Sequence, residues 1–220
     1  MPLTELTCER LFGYEGCLAE ALLKNCPYPW DAVRRIGEFV TALGEMLLKS
    51  GGWRDLGGGA VVSENAEVSP MAVIYGPCVI AAGAEIRPGA YIRGNVLVEE
   101  GCVVGNSTEL KNALLLKGAK LPHFNYAGDS VVGRSAHMGA GAVASNFKLD
   151  GSEICVAGIK TGRKKLGAAL GDGAEIGCHC VLDPGTVIGK NSAVYPGTVV
   201  RGVVPEGRIV KSAKEIVGKR

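Results

Sequence analysis

The chain has 220 residues, a formal net charge of +2, and 47% hydrophobic residues of which few are aromatic. So neutral a balance excludes a general nucleic-acid role and leaves any anion site to local clustering of charge. With 33 glycines and a mostly small, aliphatic apolar set, the composition favours narrow repeated layers over one bulky core.

The N-terminus, "MPLTELTCER", carries acids early and has no long apolar run, so no secretory leader is expected. Nowhere do eighteen apolar residues follow one another, which excludes an ordinary membrane-spanning helix. The eight cysteines are therefore expected as reduced thiols in a cytoplasmic protein. The "CHC" of Cys178 and Cys180 does not have a usual zinc spacing, and no metal is expected.

Residues 1–55 read as an α-helical cap. A helix is expected around 3–24, ended near "CPYP". In "WDAVRRIGEFVTALGEMLLKSGG", Val33, Ile36, Val40, Leu43 and Leu47 recur at helical spacing, with Asp31 to cap the start and Gly51-Gly52 to stop it. The cap is expected to cover the open first coil of a repeat region on its C-terminal side and so block strand-to-strand aggregation.

Over residues 56–210 the pattern changes to a six-residue beat. Aliphatic residues fall at Val62, Val68, Ile74, Ile80, Ile86, Ile92, Val98, Val104, Leu110 and Leu116, then at Leu170, Ile176, Leu182, Ile188, Val194 and Val200. Small residues such as Ala84, Ala90, Cys78, Cys102 and Cys180 follow four positions after each beat. Neither a helix nor a simple alternating strand sustains this period. It predicts an all-β solenoid in which three hexapeptides close a triangular coil and successive coils pair as parallel strands. Cys78, Cys102 and Cys180 are then core residues.

Two departures interrupt the beat. "LPHFNYAGD", residues 121–129, delivers His123, Tyr126 and Asp129 within seven positions. It reads as a break that lifts an imidazole out of the stack, since loops on a rigid scaffold concentrate functional groups. Asp129 or a backbone carbonyl is the candidate to hold one ring nitrogen. Arg93 and Lys111, eighteen residues apart, should stack one coil apart and suit a phosphate. The second departure, residues 146–165, has two strand-like pieces separated by "AG" and a basic end, Lys160, Arg163, Lys164 and Lys165. A projecting hairpin insertion, about 147–165, is expected, its basic end either solvated or in contact with phosphate. Residues 211–220 read as a short frayed helix or basic tail.

The beat resembles the left-handed parallel β-helix of the hexapeptide-repeat acyltransferases, and the left hand is what the resemblance implies. "ELKNALLLKGAKLPHFNYAGDSVVGRSAHMGAGAVASN" is similar to the acetyltransferase domain of the bifunctional N-acetylglucosamine-1-phosphate uridyltransferases/glucosamine-1-phosphate acetyltransferases. Nearly the whole chain resembles the stand-alone proteins called UDP-N-acetylglucosamine pyrophosphorylase-related. The resemblance implies a CoA-dependent acyltransferase acting on a sugar phosphate or nucleotide sugar, with acetyl-CoA as donor and a homotrimeric assembly. It gives His123 the role of general base, Arg93, Lys111, Tyr126, His137 and Lys165 contacts to the acceptor, and Asn146, Phe147 and Cys178 contacts to the donor.

Three departures from the acetyltransferase pattern bear on the acceptor: His137 replaces an asparagine, Phe147 replaces a tyrosine, and the hairpin is added. No glycine-rich nucleotidyltransferase loop stands near the N-terminus, so pyrophosphorylase chemistry is not expected. The competing classes are a non-catalytic sugar-nucleotide binding module and a zinc enzyme. The second is disfavoured because His123, His137 and His179 are 14 and 42 residues apart.

Overall fold

The computed structural model describes residues 3–212 and 215–219. Its body is the expected solenoid of stacked parallel coils, each tracing three flat faces in turn. The first face begins at Ala60–Ser63 and ends at Val203–Val204. The second runs from Glu67–Val68 to Arg208–Ser212, the third from Val73–Tyr75 to Val199–Val200. Alternate side chains of every strand point inward, and one continuous core of aliphatics, alanines and the three cysteines Cys78, Cys102 and Cys180 fills the coil. Each fully buried aliphatic contributes about 1.5–3 kcal/mol.

The ladder advances eighteen residues per coil, as Glu85 pairs with Glu67 and Cys78 with Val96. It slips once within the strand Glu109–Leu115. Leu110 still pairs with Ile92, but Ala113 pairs with Val96, seventeen residues away. The corner Gly94-Asn95 is thus matched by Asn112 alone, and in the next coil by Asp129. Both adopt left-handed φ, 49° and 51°, which short polar side chains tolerate. The tighter corner moves the beat by one, so that Leu115 enters the coil interior and Leu116 faces outward, correcting the expected inward Leu116.

Nor does the chain leave the stack at residues 121–129. Lys120–His123 pairs with the second-face strand Val103–Asn106, and Tyr126–Val132 pairs with Glu109–Leu115. The break in the beat is the shortened coil, not an extruded loop.

The N-terminal piece also differs from expectation. Residues 3–24 form a 3-10 turn, Leu3–Leu6, and two single-turn helices, α1 (Cys8–Leu11) and α2 (Glu20–Leu23), where one helix was expected. Gly13 and Gly16 fall between the two. The long helix α3 (Pro29–Ser50) begins with proline in its first turn and stops at Gly51, φ 79°. Asp31 does cap it, but from inside, accepting the Tyr28 backbone N–H at 3.1 Å. Val33, Ile36, Val40, Leu43 and Leu47 pack on Val61, Val79, Leu97, Leu114 and Val131, the outward residues of the first face. The helix therefore covers a flank of the solenoid and not its open end. Gly37 permits this approach, since a Cβ there would lie 2.8 Å from Asn95 Oδ1.

At one end the strand Trp53–Asp55 pairs antiparallel with the first coil, and at the other Glu215–Gly218 pairs antiparallel with Arg208–Ser212. Of the segment 211–220, expected as a frayed helix or tail, residues 211–212 and 215–218 are strand, and 213, 214 and 220 lie outside the described residues. The hairpin consists of Cys155–Val156 and Ile159–Lys160 joined by Ala157-Gly158, both at positive φ (47° and 84°), as a two-residue hairpin turn requires.

Candidate active site

The residues singled out by sequence fall mainly on two corners of the same coils. His123 sits where the chain passes from the second face to the third. Its backbone N–H donates to Asn125 Oδ1 (3.2 Å), and its carbonyl accepts from Gly141 N–H (3.1 Å). Asn125, 2% exposed, pins the corner by donating to the Gly139 carbonyl at 2.7 Å. The His123 side chain is exposed, and its ring has no hydrogen-bond or ionic partner among the described residues. A free imidazole thus stands on a fixed backbone. Cys178, also exposed, lies on this corner two coils further along, roughly 9–10 Å down the axis.

Arg93 and Lys111 stack one coil apart on the third face, but each meets a carboxylate first. Arg93 NH1 is 2.7 Å from Glu109 Oε1, and Lys111 Nζ is 3.8 Å from Asp129 Oδ2. Arg93 also lies over the Tyr91 ring, 5.9 Å from its centroid. Tyr126 shares this face. Its hydroxyl accepts from Asn146 Nδ2 at 3.1 Å and lies over Gly128, where any Cβ would collide with it. Burial, then the charge of Asp129, raises the phenol above its ordinary range and keeps it protonated.

The corner from third face to first is the next one along the chain after the His123 corner. Asp129 is 3% exposed and accepts from Asn112 Nδ2 (2.8 Å) and Asn146 Nδ2 (2.7 Å). Arg163 NH2, from the hairpin, lies 3.6 Å away. Asn112 donates in addition to the Val33 carbonyl of α3 at 3.2 Å. Asp129 is therefore committed to this cluster and not to His123. The structure brings Lys111, Tyr126, Asn146 and Asp129 together. His137 is placed elsewhere, on the second face, in register with Lys120 and with Nδ1 3.0 Å from Glu175 Oε2. Lys165 is exposed, its backbone bridged to Phe147. Phe147, 46% exposed, lines an open cleft of about 700 Å³ with Ser145, Leu149, Asp183 and Arg201.

Glu109, Asn112 and Gly128 escaped the sequence reading. The only signal for Asn112 and Asp129 as a stacked pair was their separation of seventeen, which a strict beat of six hides.

The family described as the GMPPB C-terminal domain matches residues 74–161. A bifunctional sugar-1-phosphate nucleotidylyltransferase/acetyltransferase of Sulfurisphaera tokodaii is 37% identical over 112 residues, 49% of this chain and 28% of that protein. A bifunctional protein GlmU of Methanococcus maripaludis is 31% identical over 202 residues, 88% of this chain and 48% of the relative. These bifunctional proteins are homologues of this chain. The chain spans less than half the length of either. Among solved structures, a variant of AntD, an N-acyltransferase from Bacillus cereus in complex with dTDP and coenzyme A, is 21% identical and covers 80% of this chain and 89% of its own, with a TM-score of 0.39.

Proposed function

We propose that the chain is a CoA-dependent acyltransferase whose acceptor is a sugar phosphate or nucleotide sugar. The observation that carries this reading is the exposed, unpartnered His123 ring on a pinned corner, in a homologue of proteins named for acetyltransferase activity. In the reaction, an acceptor amine or hydroxyl attacks the thioester carbonyl carbon, His123 takes the proton it releases, and the CoA thiolate departs. A positioned general base of this kind contributes about 10²–10⁴-fold. Tyr126 offers a neutral hydroxyl to the acceptor, and Lys111 a cation.

For the donor, Phe147 and its cleft suit the apolar arm of acetyl-CoA, and Cys178 borders the His123 corner. Asn146 is less suited, because its amide is already shared between Asp129 and Tyr126. That one observation favours a second reading, a sugar-nucleotide binding module without turnover. Three copies with parallel axes would complete the site. Exposed Val73, Tyr75 and Tyr91 on the uncovered third face supply an apolar surface for such packing.

The deciding experiment screens amino sugars, sugar phosphates and nucleotide sugars for CoA release from acetyl-CoA. Release with one acceptor class supports the enzyme. Binding without release supports the module, and neither result with any acceptor overturns both. Sedimentation showing an active monomer removes the shared-site assembly.

A further inference from the structure

At the corners between second and third faces, one inward residue per coil serves a common purpose. Thr108 Oγ1 donates to the Leu121 carbonyl at 3.0 Å, and Cys180 Sγ to that of Tyr195 at 3.1 Å. Each thereby latches its own coil to the following one. Ala90, Ala142 and Thr198 hold the matching places elsewhere. In the coil of His123 the place belongs to Asn125, and among the described residues no other asparagine is buried.

Asn125 does what its counterparts do and one thing more. Its Nδ2 donates to the Gly139 and Ala142 carbonyls of the following coil, at 2.7 and 3.3 Å. Its backbone N–H donates to Thr108 Oγ1, in the coil before, at 3.3 Å. That leaves Oδ1, which accepts the His123 N–H at 3.2 Å. A buried amide persists only where both its ends are bonded, and here one end is bonded to the residue that carries the imidazole. The coil before also leaves a seat for this turn. A Cβ on Gly105 would fall 1.5 Å from the Pro122 carbonyl oxygen. At Gly139 and Gly177, the matching positions of later coils, the nearest atom would be 2.7 and 2.5 Å away. The His123 corner is thus pressed closest against its neighbouring coil and held from inside as well.

We propose that Asn125 is a positioning residue for acyl transfer, its Oδ1 fixing the His123 backbone so that the imidazole stands within reach of the acceptor, a role that rests on the acyltransferase reading. A free ring on a fixed backbone has two torsions to settle when substrate arrives. A loosened backbone adds more, and a misplacement of about 1 Å costs about 10²-fold in rate.

The test compares Asn125→Thr with wild type. A threonine there repeats Thr108, keeping a donor for the following coil and losing the acceptor for His123, so the melting temperature is expected to hold. The kcat for CoA release falls roughly ten- to a hundred-fold, with KM near that of wild type. In a His123→Ala background the same substitution lowers kcat no further, because the two residues act as a unit. Hydrogen exchange followed by NMR shows the His123 amide exchanging roughly ten-fold faster, the loss of one hydrogen bond. Asn125→Ala, which repeats Ala90 and Ala142, shows the same kinetic loss and replaces the threonine variant if that one melts early. Wild-type kcat in either folded variant overturns the proposal, as does an equal fall with and without His123. A wild type that releases no CoA with any acceptor overturns the acyltransferase reading itself, and the amide exchange then decides alone whether Asn125 holds the corner.

Discussion

The corner at His123 and the corner at Asp129 belong to the same coils, and both turn the chain through left-handed backbone, at Phe124 (φ 51°) and at Asp129 (φ 51°). One is bare: its imidazole is exposed and has no partner among the described residues. The other lies beneath α3 and the hairpin, where amides and cations from three segments converge on one carboxylate. A solenoid makes all its corners alike from within. What lies against the outside decides which corner is left reactive and which becomes a structural anchor.

Four experiments test that contrast. The largest effect is expected at the bare corner. His123→Ala should lower acyl transfer about 10²–10⁴-fold with an unchanged melting temperature, because its ring supports nothing. Near-normal turnover would make the histidine incidental and place the base elsewhere.

At the covered corner the pattern should reverse. Asp129→Ala leaves Lys111, Arg163 and two amides without their shared acceptor, and breaking such a buried group costs about 3–5 kcal/mol. Chemical denaturation should show that loss, and trypsin should cut faster after Lys160 and Lys164. A variant as stable as wild type would show that the anchor carries no weight.

Between the corners, Gly128→Ala should push the Tyr126 ring off its seat. Ligand affinity is expected to fall by roughly ten-fold, the loss of one modest polar contact, with a loss of stability smaller than that of Asp129→Ala, since the Cβ also crowds Asn146 Nδ2. Equal affinity would remove Tyr126 from the site.

The smallest effect concerns the remaining corner, between first and second faces. There Glu99, 1% exposed, accepts the Ala19 N–H at 2.8 Å while its other oxygen has no hydrogen-bond partner among the described residues. Burial raises this carboxyl from its ordinary 4.5. The folded state then holds the proton more tightly than the unfolded one, so this contribution to stability declines as pH rises above about 4.5. Glu99→Gln should flatten that slope in urea titrations at several pH values. An unchanged slope would assign the pH dependence to other groups.

Much of the solenoid was legible because inward positions tolerate only aliphatic or small side chains, so Ile80, Ile86 and Ile92 announce themselves by spacing alone. α3 was legible for the same reason, its stripe of Val33, Ile36, Val40, Leu43 and Leu47 being dictated by burial. The two seventeen-residue coils were not legible. Leu114, Leu115 and Leu116 are all apolar, and each is buried, two against the helical layer and one in the coil. Composition there cannot reveal which of them points inward. The partners of Asp129 were hidden too, because the carboxylate is met by groups 17 and 34 residues away, Asn112 and Arg163, whose approach depends on where the helix and hairpin dock. His123 was found by residue type, and the absence of a partner for its ring among the described residues became visible only in three dimensions.

The hairpin's place in the ladder has one more consequence. Val131 pairs with Ala169 and Val143 with Val181, thirty-eight residues on, twenty more than a regular coil uses, yet every later strand returns to its own face. The spine counts corners and ignores how much chain is spent outside them. Leu166 N–H still reaches the Asn146 carbonyl at 3.0 Å, closing the gap as though nothing had been interposed. The segment carrying Phe147 and Arg163 is in effect a wall added outside the spine, fastened by buried Ile154, Val156 and Leu166, and the extra chain it uses leaves the pinned imidazole on the neighbouring corner in its place.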